Sequence, residues 1–159
     1  MYVFVYGTLK RNCPNNYVLE KRENGRAEFV CEARTEVLFP LIVATKYEIP
    51  FLLDQTGIGN HVLGEVYDVD EKMLDTLDKF EGAPLLYKRR FEVVKPVDGQ
   101  GDASLSAWIF TFHSFNEKLL KETFYDTYVC KNYDLLRSLS GKISPEERAK
   151  FFKDLRNEL

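Results

Sequence analysis

Runs of apolar residues dominate the first two-thirds of the chain, and most of them predict strands. Residues 2–6, YVFVY, are β-branched and aromatic without a polar break, the pattern of a strand buried on both faces. AEFVCEARTEV (27–37) alternates imperfectly, and PLIVAT (40–45) and PFLLD (50–54) are further strand candidates. The glycines of QTGIGN (55–60) mark a turn. HVLGEVYDV (61–69) is therefore the expected hairpin partner of PFLLD, with Gly64 a bulge or a point of close approach. KRRFEVVKPV (88–97) alternates, DGQGD (98–102) turns the chain, and LSAWIFTFH (105–113) follows. Strands in this order, with one helix embedded among them, predict a curved or barrel-like sheet rather than a doubly wound one.

The period changes in EKMLDTLDKFEG. Met73, Leu74, Leu77 and Phe80 recur at helical spacing and predict a helix over 71–81, with Asp70 as N-cap and Glu71 in the first turn. Gly82 ends it and Pro84 bars a restart. Glu71, Lys72, Asp75, Asp78 and Lys79 fall on the polar side, but Glu81 falls on the apolar arc between Leu74 and Leu77. Further helices are expected over 117–124, capped by Asn116, and over 132–140. The clearest is 145–159, where SPEE (144–147) is a capping box with proline at the first helical position. Its stripe of Phe151, Phe152, Leu155 and Leu159 predicts a face that docks on the rest of the domain.

Composition narrows the class. A chain of 159 residues, 45% apolar and 14% aromatic, suits one domain over 1–159 with a packed core. A net charge of −3 gives no field for nucleic acid, and the basic stretch KRR (88–90) reads as a solvated strand face. The three cysteines, Cys13, Cys31 and Cys130, are far apart with no CxxC, which argues against a disulfide framework or a zinc site. The two histidines, His61 and His113, offer no ligand spacing either, so no metal site is expected. The N-terminus lacks the basic region and cleavage site of a signal peptide, and no apolar run reaches membrane-spanning length. The expectation is a soluble cytoplasmic protein; its oligomeric state is open, with a monomer as the default.

Two features bear on chemistry. In VYGTLK (5–10) a buried strand is broken by Gly7 and followed by the small polar Thr8. Such a turn can aim consecutive backbone N–H groups at a carboxylate or an oxyanion. It is no phosphate loop, since GxxxxGK[ST] is absent, and taken alone it reads as an ordinary strand-to-loop turn. Glu81 taken alone reads as a glutamate snorkelling to water. Its sharper reading is a general base, because an apolar surrounding disfavours the charged form and lifts the pKa toward the working range.

The two features together change the reading. FVYGTLKRNCPN, PLIVA, IPFLLD, GEVYDVDEKMLDTLDKFEG and LYKR, in that order, resemble the gamma-glutamylcyclotransferase superfamily, and within it most closely the gamma-glutamylaminecyclotransferases. The resemblance covers about residues 2–112, and only YDTY (125–128) extends it. It implies an α+β fold, a small mixed β-barrel flanked by helices, and a cofactor-independent reaction on a small-molecule gamma-glutamyl substrate. An isopeptide such as gamma-glutamyl-epsilon-lysine would be split to 5-oxoproline and free amine by attack of its own α-amine. Glu81 matches the family's general acid/base, and Tyr6, Gly7, Thr8 and Leu9 match its substrate loop. Tyr87 matches a tyrosine position that shapes the pocket, and Tyr128 is a further substrate-binding candidate. Phe110 and Phe112 stand where relatives often carry tyrosine, which bears on substrate detail. Two alternatives remain open: cyclisation of gamma-glutamyl amino acids or glutathione, and a non-catalytic binding module on the same fold.

Overall fold

The computed structural model describes residues 1–97, 103–140 and 144–159. In chain order it contains β1 (Tyr2–Val5), α1 (Tyr17–Glu20), β2 (Ala27–Thr35), β3 (Leu41–Ala44), β4 (Ile49–Leu52) and β5 (Leu63–Val69). There follow α2 (Glu71–Phe80), β6 (Tyr87–Pro96), β7 (Leu105–Phe112), α3 (Tyr133–Ser140) and α4 (Pro145–Glu158). Short 3-10 turns occupy Arg22–Asn24 and Glu117–Lys121. Five strands close a barrel in the order β1-β5-β2-β6-β7, and β3 and β4 form a separate two-stranded sheet. The barrel is mixed. β1 runs antiparallel to β5 and parallel to β7, and the remaining neighbours are antiparallel.

β1 shows why the barrel needs a strand without polar breaks. Phe4 joins Ala33, Val66, Val94, Ala107 and Ile109 in a cluster drawn from all five barrel strands, so it points into the barrel. Val3 and Val5, on the opposite face, join Met73, Leu74 and Leu77 of α2 in the second cluster. Period two along the strand thus feeds two cores, and β1 is interior as its composition predicts. Gly64 of β5 is a close-approach point: a Cβ there would meet the Val5 carbonyl oxygen at 2.4 Å and the Phe4 ring at 2.6 Å. Register slips between Phe29 and Cys31 of β2, which accounts for the imperfect alternation of that run.

The expected hairpin between the fourth and fifth strands does not form. β4 pairs with β3, Leu52 opposite Leu41, while both edges of β5 are taken by β1 and β2. Barrel closure outranks the local turn signal, because each barrel strand needs two partners and β5 finds both elsewhere. The helix expected over 117–124 is the shorter 3-10 turn, with the Asn116 side chain accepting from Lys118 N–H at 3.0 Å. Around α1, the turns over residues 17–24 have no apolar periodicity and were not expected from the sequence. The turn expected at 98–102 lies outside the described residues. Among the described residues no helix is long and apolar enough to cross a membrane.

α2 ends in a way that fixes the carboxylate beyond it. Asp70 caps its start, accepting from Met73 N–H at 2.8 Å. At the other end Gly82 adopts φ +66°, its N–H donates to Lys79 O at 3.2 Å, and Ala83 N–H donates to Asp78 O at 2.9 Å. This pair of bonds is a Schellman motif, which needs a left-handed residue just past the helix and finds glycine there. Glu81 is the residue between helix and glycine, its N–H still bonded to Leu77 O at 2.8 Å.

Candidate active site

A cavity of about 100 Å³ lies where β1 ends, walled by the turn after it, the end of α2, the start of β6, and α3 and α4. Tyr6, Gly7, Thr8, Leu9, Glu81 and Tyr87 all line it. Tyr128 does not: its ring is buried in the barrel-side cluster and its hydroxyl donates to the Glu48 carbonyl at 3.0 Å. The link between Tyr128 and the site is through its backbone, whose carbonyl accepts from Lys10 Nζ at 2.8 Å and so ties down the turn.

The turn is built by close approach and by side-chain clips. A Cβ at Gly7 would meet Pro50 Cγ at 2.6 Å, so only glycine lets the chain pass the β3–β4 sheet there. Tyr6 donates to the Phe110 carbonyl at 2.5 Å, which ties the end of β1 to β7. Thr8 is held by Asn15: its hydroxyl accepts from Asn15 Nδ2 at 2.8 Å and its carbonyl from Asn15 N–H at 2.9 Å. Lys10 N–H closes the turn onto Gly7 O at 3.1 Å. Among the described residues nothing accepts from the N–H groups of Gly7, Thr8 and Leu9, so these donors remain available to a ligand.

Asn15 is a site residue that sequence reasoning missed. It is buried, lines the cavity, and its Oδ1 has no hydrogen-bond partner among the described residues. The PNN run at 14–16 carries turn composition and nothing that separates a cavity residue from a turn residue.

Glu81 is half-buried and faces an apolar surround of Phe80, Leu86, Tyr87, Phe110, Phe151 and Phe152. Among the described residues nothing donates a hydrogen bond to its carboxylate. Desolvation pushes its pKa up from the usual carboxylate value of 4.5 to about 7, with the Arg148 charge pulling the other way. Tyr6 and Tyr87 feel the same surroundings. Burial holds both phenols well above 10.0, and the Glu81 charge adds to that in each. The Tyr87 hydroxyl is spent on the Pro50 carbonyl at 2.9 Å, and its ring stacks on Phe51 with centroids 5.8 Å apart. It therefore shapes the wall. Phe112 meets the Phe51 ring edge-on at 5.1 Å and so belongs to the same aromatic packing.

An interior turn with unengaged N–H groups, facing a carboxyl of pKa about 7, is equipped to hold an anion and move a proton. The family described as gamma-glutamyl cyclotransferase, AIG2-like, matches residues 3–133, which include both features. This chain belongs to that family. A gamma-glutamylaminecyclotransferase of Danio rerio is 41% identical over 126 residues, 79% of this chain and 78% of the relative. The Mus musculus gamma-glutamylaminecyclotransferase is 37% identical over 131 residues, 80% of this chain and 88% of that one. The crystal structure of a mouse AIG2-like protein superposes with a TM-score of 0.77 at 36% identity, covering 80% of this chain and 87% of the other. The mixed five-stranded barrel is thus the fold of this cyclotransferase family. Among the described residues no cluster of His, Cys, Asp or Glu could hold a metal ion.

Proposed function

We propose that this member of the family cleaves gamma-glutamyl amines, with gamma-glutamyl-epsilon-lysine as the representative substrate, to 5-oxoproline and free amine. The observation that carries the reading is the meeting of Glu81 and the 6–9 turn in one cavity. The substrate's α-amine nitrogen attacks its own γ-carbonyl carbon, forming the lactam C–N bond. The isopeptide C–N bond then breaks and releases the amine. Closing a five-membered ring has a large proximity advantage, so the protein need only fold the substrate, move one proton and steady the oxyanion. Glu81 takes the proton from the attacking amine and returns it to the leaving nitrogen; no water is consumed. The free N–H groups of Gly7, Thr8 and Leu9 hold the glutamyl portion.

A pKa of about 7 suits both halves of that transfer, since the group is part ionised at neutral pH and can act as base, then acid. A binding module would gain nothing from a bare desolvated carboxylate, which disfavours the non-catalytic alternative. The decisive experiment incubates pure protein separately with gamma-glutamyl-epsilon-lysine and gamma-glutamyl-alanine and assays 5-oxoproline. Release from the first is the expected outcome. Release from neither would overturn the reading.

A further inference from the structure

The part of the cavity wall contributed by α3 and α4 lies beyond the residues that the family matches. It consists of Leu136, Leu139, Phe151, Phe152 and Leu155, all apolar, and one cation, Arg148. The Arg148 guanidinium lies over the Phe80 ring at 4.5 Å and the Phe152 ring at 5.0 Å, and one Nη donates to the Phe80 carbonyl. That bond satisfies one of the carbonyls left open at the end of α2. Among the described residues its remaining donors meet no acceptor and no carboxylate lies at ion-pair distance. Burial makes the charge costly, holding the guanidinium below its ordinary pKa although the Glu81 charge, beyond ion-pair distance, pulls it the other way. A half-buried cation with spare donors in an apolar wall is a seat for an anion.

Its position says which anion. Phe80, Arg148 and Phe152 line both the inner cavity and a second, wider cleft outside it. Lys79 and Asp134 also line that cleft, as does Lys21, whose ammonium lies 4.0 Å from Glu23. With the glutamyl portion on the 6–9 turn and the scissile bond beside Glu81, the leaving amine is the part that reaches the Arg148 boundary.

We infer that Arg148 selects substrates whose leaving amine carries a carboxylate, an amino acid or a peptide, and that the cleft outside it seats this leaving group. The inference rests on the cyclotransferase reading and names the substrate class of the same site. A guanidinium takes a carboxylate through two parallel hydrogen bonds, a recognition that a carboxamide cannot reproduce.

The test compares gamma-glutamyl-epsilon-lysine with gamma-glutamyl-epsilon-lysinamide, substrates that differ only in that charge. The wild-type protein prefers the carboxylate by at least about tenfold in kcat/KM, the scale of one charge-assisted contact. In Arg148→Met the preference falls toward one, chiefly through a higher KM for gamma-glutamyl-epsilon-lysine. Arg148→Lys, which keeps the charge, retains part of it. Equal wild-type turnover of the two substrates would overturn the inference even if the variant failed to fold. So would an equal loss on both in a folded Arg148→Met, which would make the residue a support for Glu81. Absence of 5-oxoproline from both substrates would instead remove the cyclotransferase reading, and this inference with it.

Discussion

Glu65 and Glu81 both point inward, and their surroundings differ in kind. Glu65, on β5, is 5% exposed and fully occupied. It accepts from Arg11 N–H at 2.9 Å, from Arg11 Nε at 3.1 Å and from the Tyr67 hydroxyl at 3.2 Å. Glu81, one residue past α2, accepts nothing from the described residues and faces rings. The first carboxylate anchors the segment that follows the 6–9 turn; the second faces the cavity that the turn encloses. A buried charge with its partners supplied is scaffold, and one held bare against apolar walls is free to exchange a proton.

The sharpest way to break this contrast is Glu81→Gln. It keeps size and removes the proton acceptor, so kcat should fall on the order of 10²-fold or more while the melting temperature holds or rises. Steady-state kinetics beside a thermal melt would check both, and near-normal turnover would return Glu81 to the surface. Glu65→Ala should do the reverse. Losing three accepted hydrogen bonds costs stability, about 2–3 kcal/mol by chemical denaturation, with KM rising as the turn loosens and kcat largely kept.

The pH dependence of stability separates the pair further. The folded-state pKa of Glu81, about 7, lies above the unfolded value of 4.5, so the native state binds the proton more tightly. Its contribution is therefore full below pH 4.5 and is lost as pH rises toward 7. Partial exposure limits the effect to on the order of 1–2 kcal/mol. Melts from pH 4 to 8 should show the decline in wild type and a flatter curve in Glu81→Gln. Activity should climb through the same range as the base ionises. The smallest effect is expected from Thr8→Ala, about 1 kcal/mol, because it strips Asn15 Nδ2 of its acceptor without touching the backbone donors. A loss of turnover as severe as that of Glu81→Gln would instead give the Thr8 hydroxyl a direct role.

Much of this site can be read from the chain because its signals are local. The unbroken apolar run of β1, the stop at Gly7 and the helix end at Gly82 each announce themselves within a few residues. Glu81 stood out only because it interrupts a helical stripe. What escaped the sequence depends on contacts between distant segments. The partners of β5 are set by closure of the barrel, which the glycines of QTGIGN do not report. Asn15 becomes a cavity residue only when the turn folds back on Thr8. Arg148 sits among exposed charged residues of α4 and reaches the cavity only because the Phe151–Phe152 face docks beside it. Tyr128 shows the converse, a tyrosine whose backbone, rather than its ring, serves the turn.

The parallel pairing of β1 with β7 also orders events in time. Val3 meets Trp108 across that seam, so the edge of β1 that β5 leaves open waits for the last barrel strand in the chain. Such distant pairing slows folding, since a long loop must close before the contacts that reward it exist. Until residues 105–112 have emerged, β1 presents an open, apolar edge, and Tyr6 lacks the Phe110 carbonyl that ties the substrate turn to β7. A nascent chain halted before that point would carry every residue of the 6–9 turn together with Glu81, yet would have no closed barrel to hold them together.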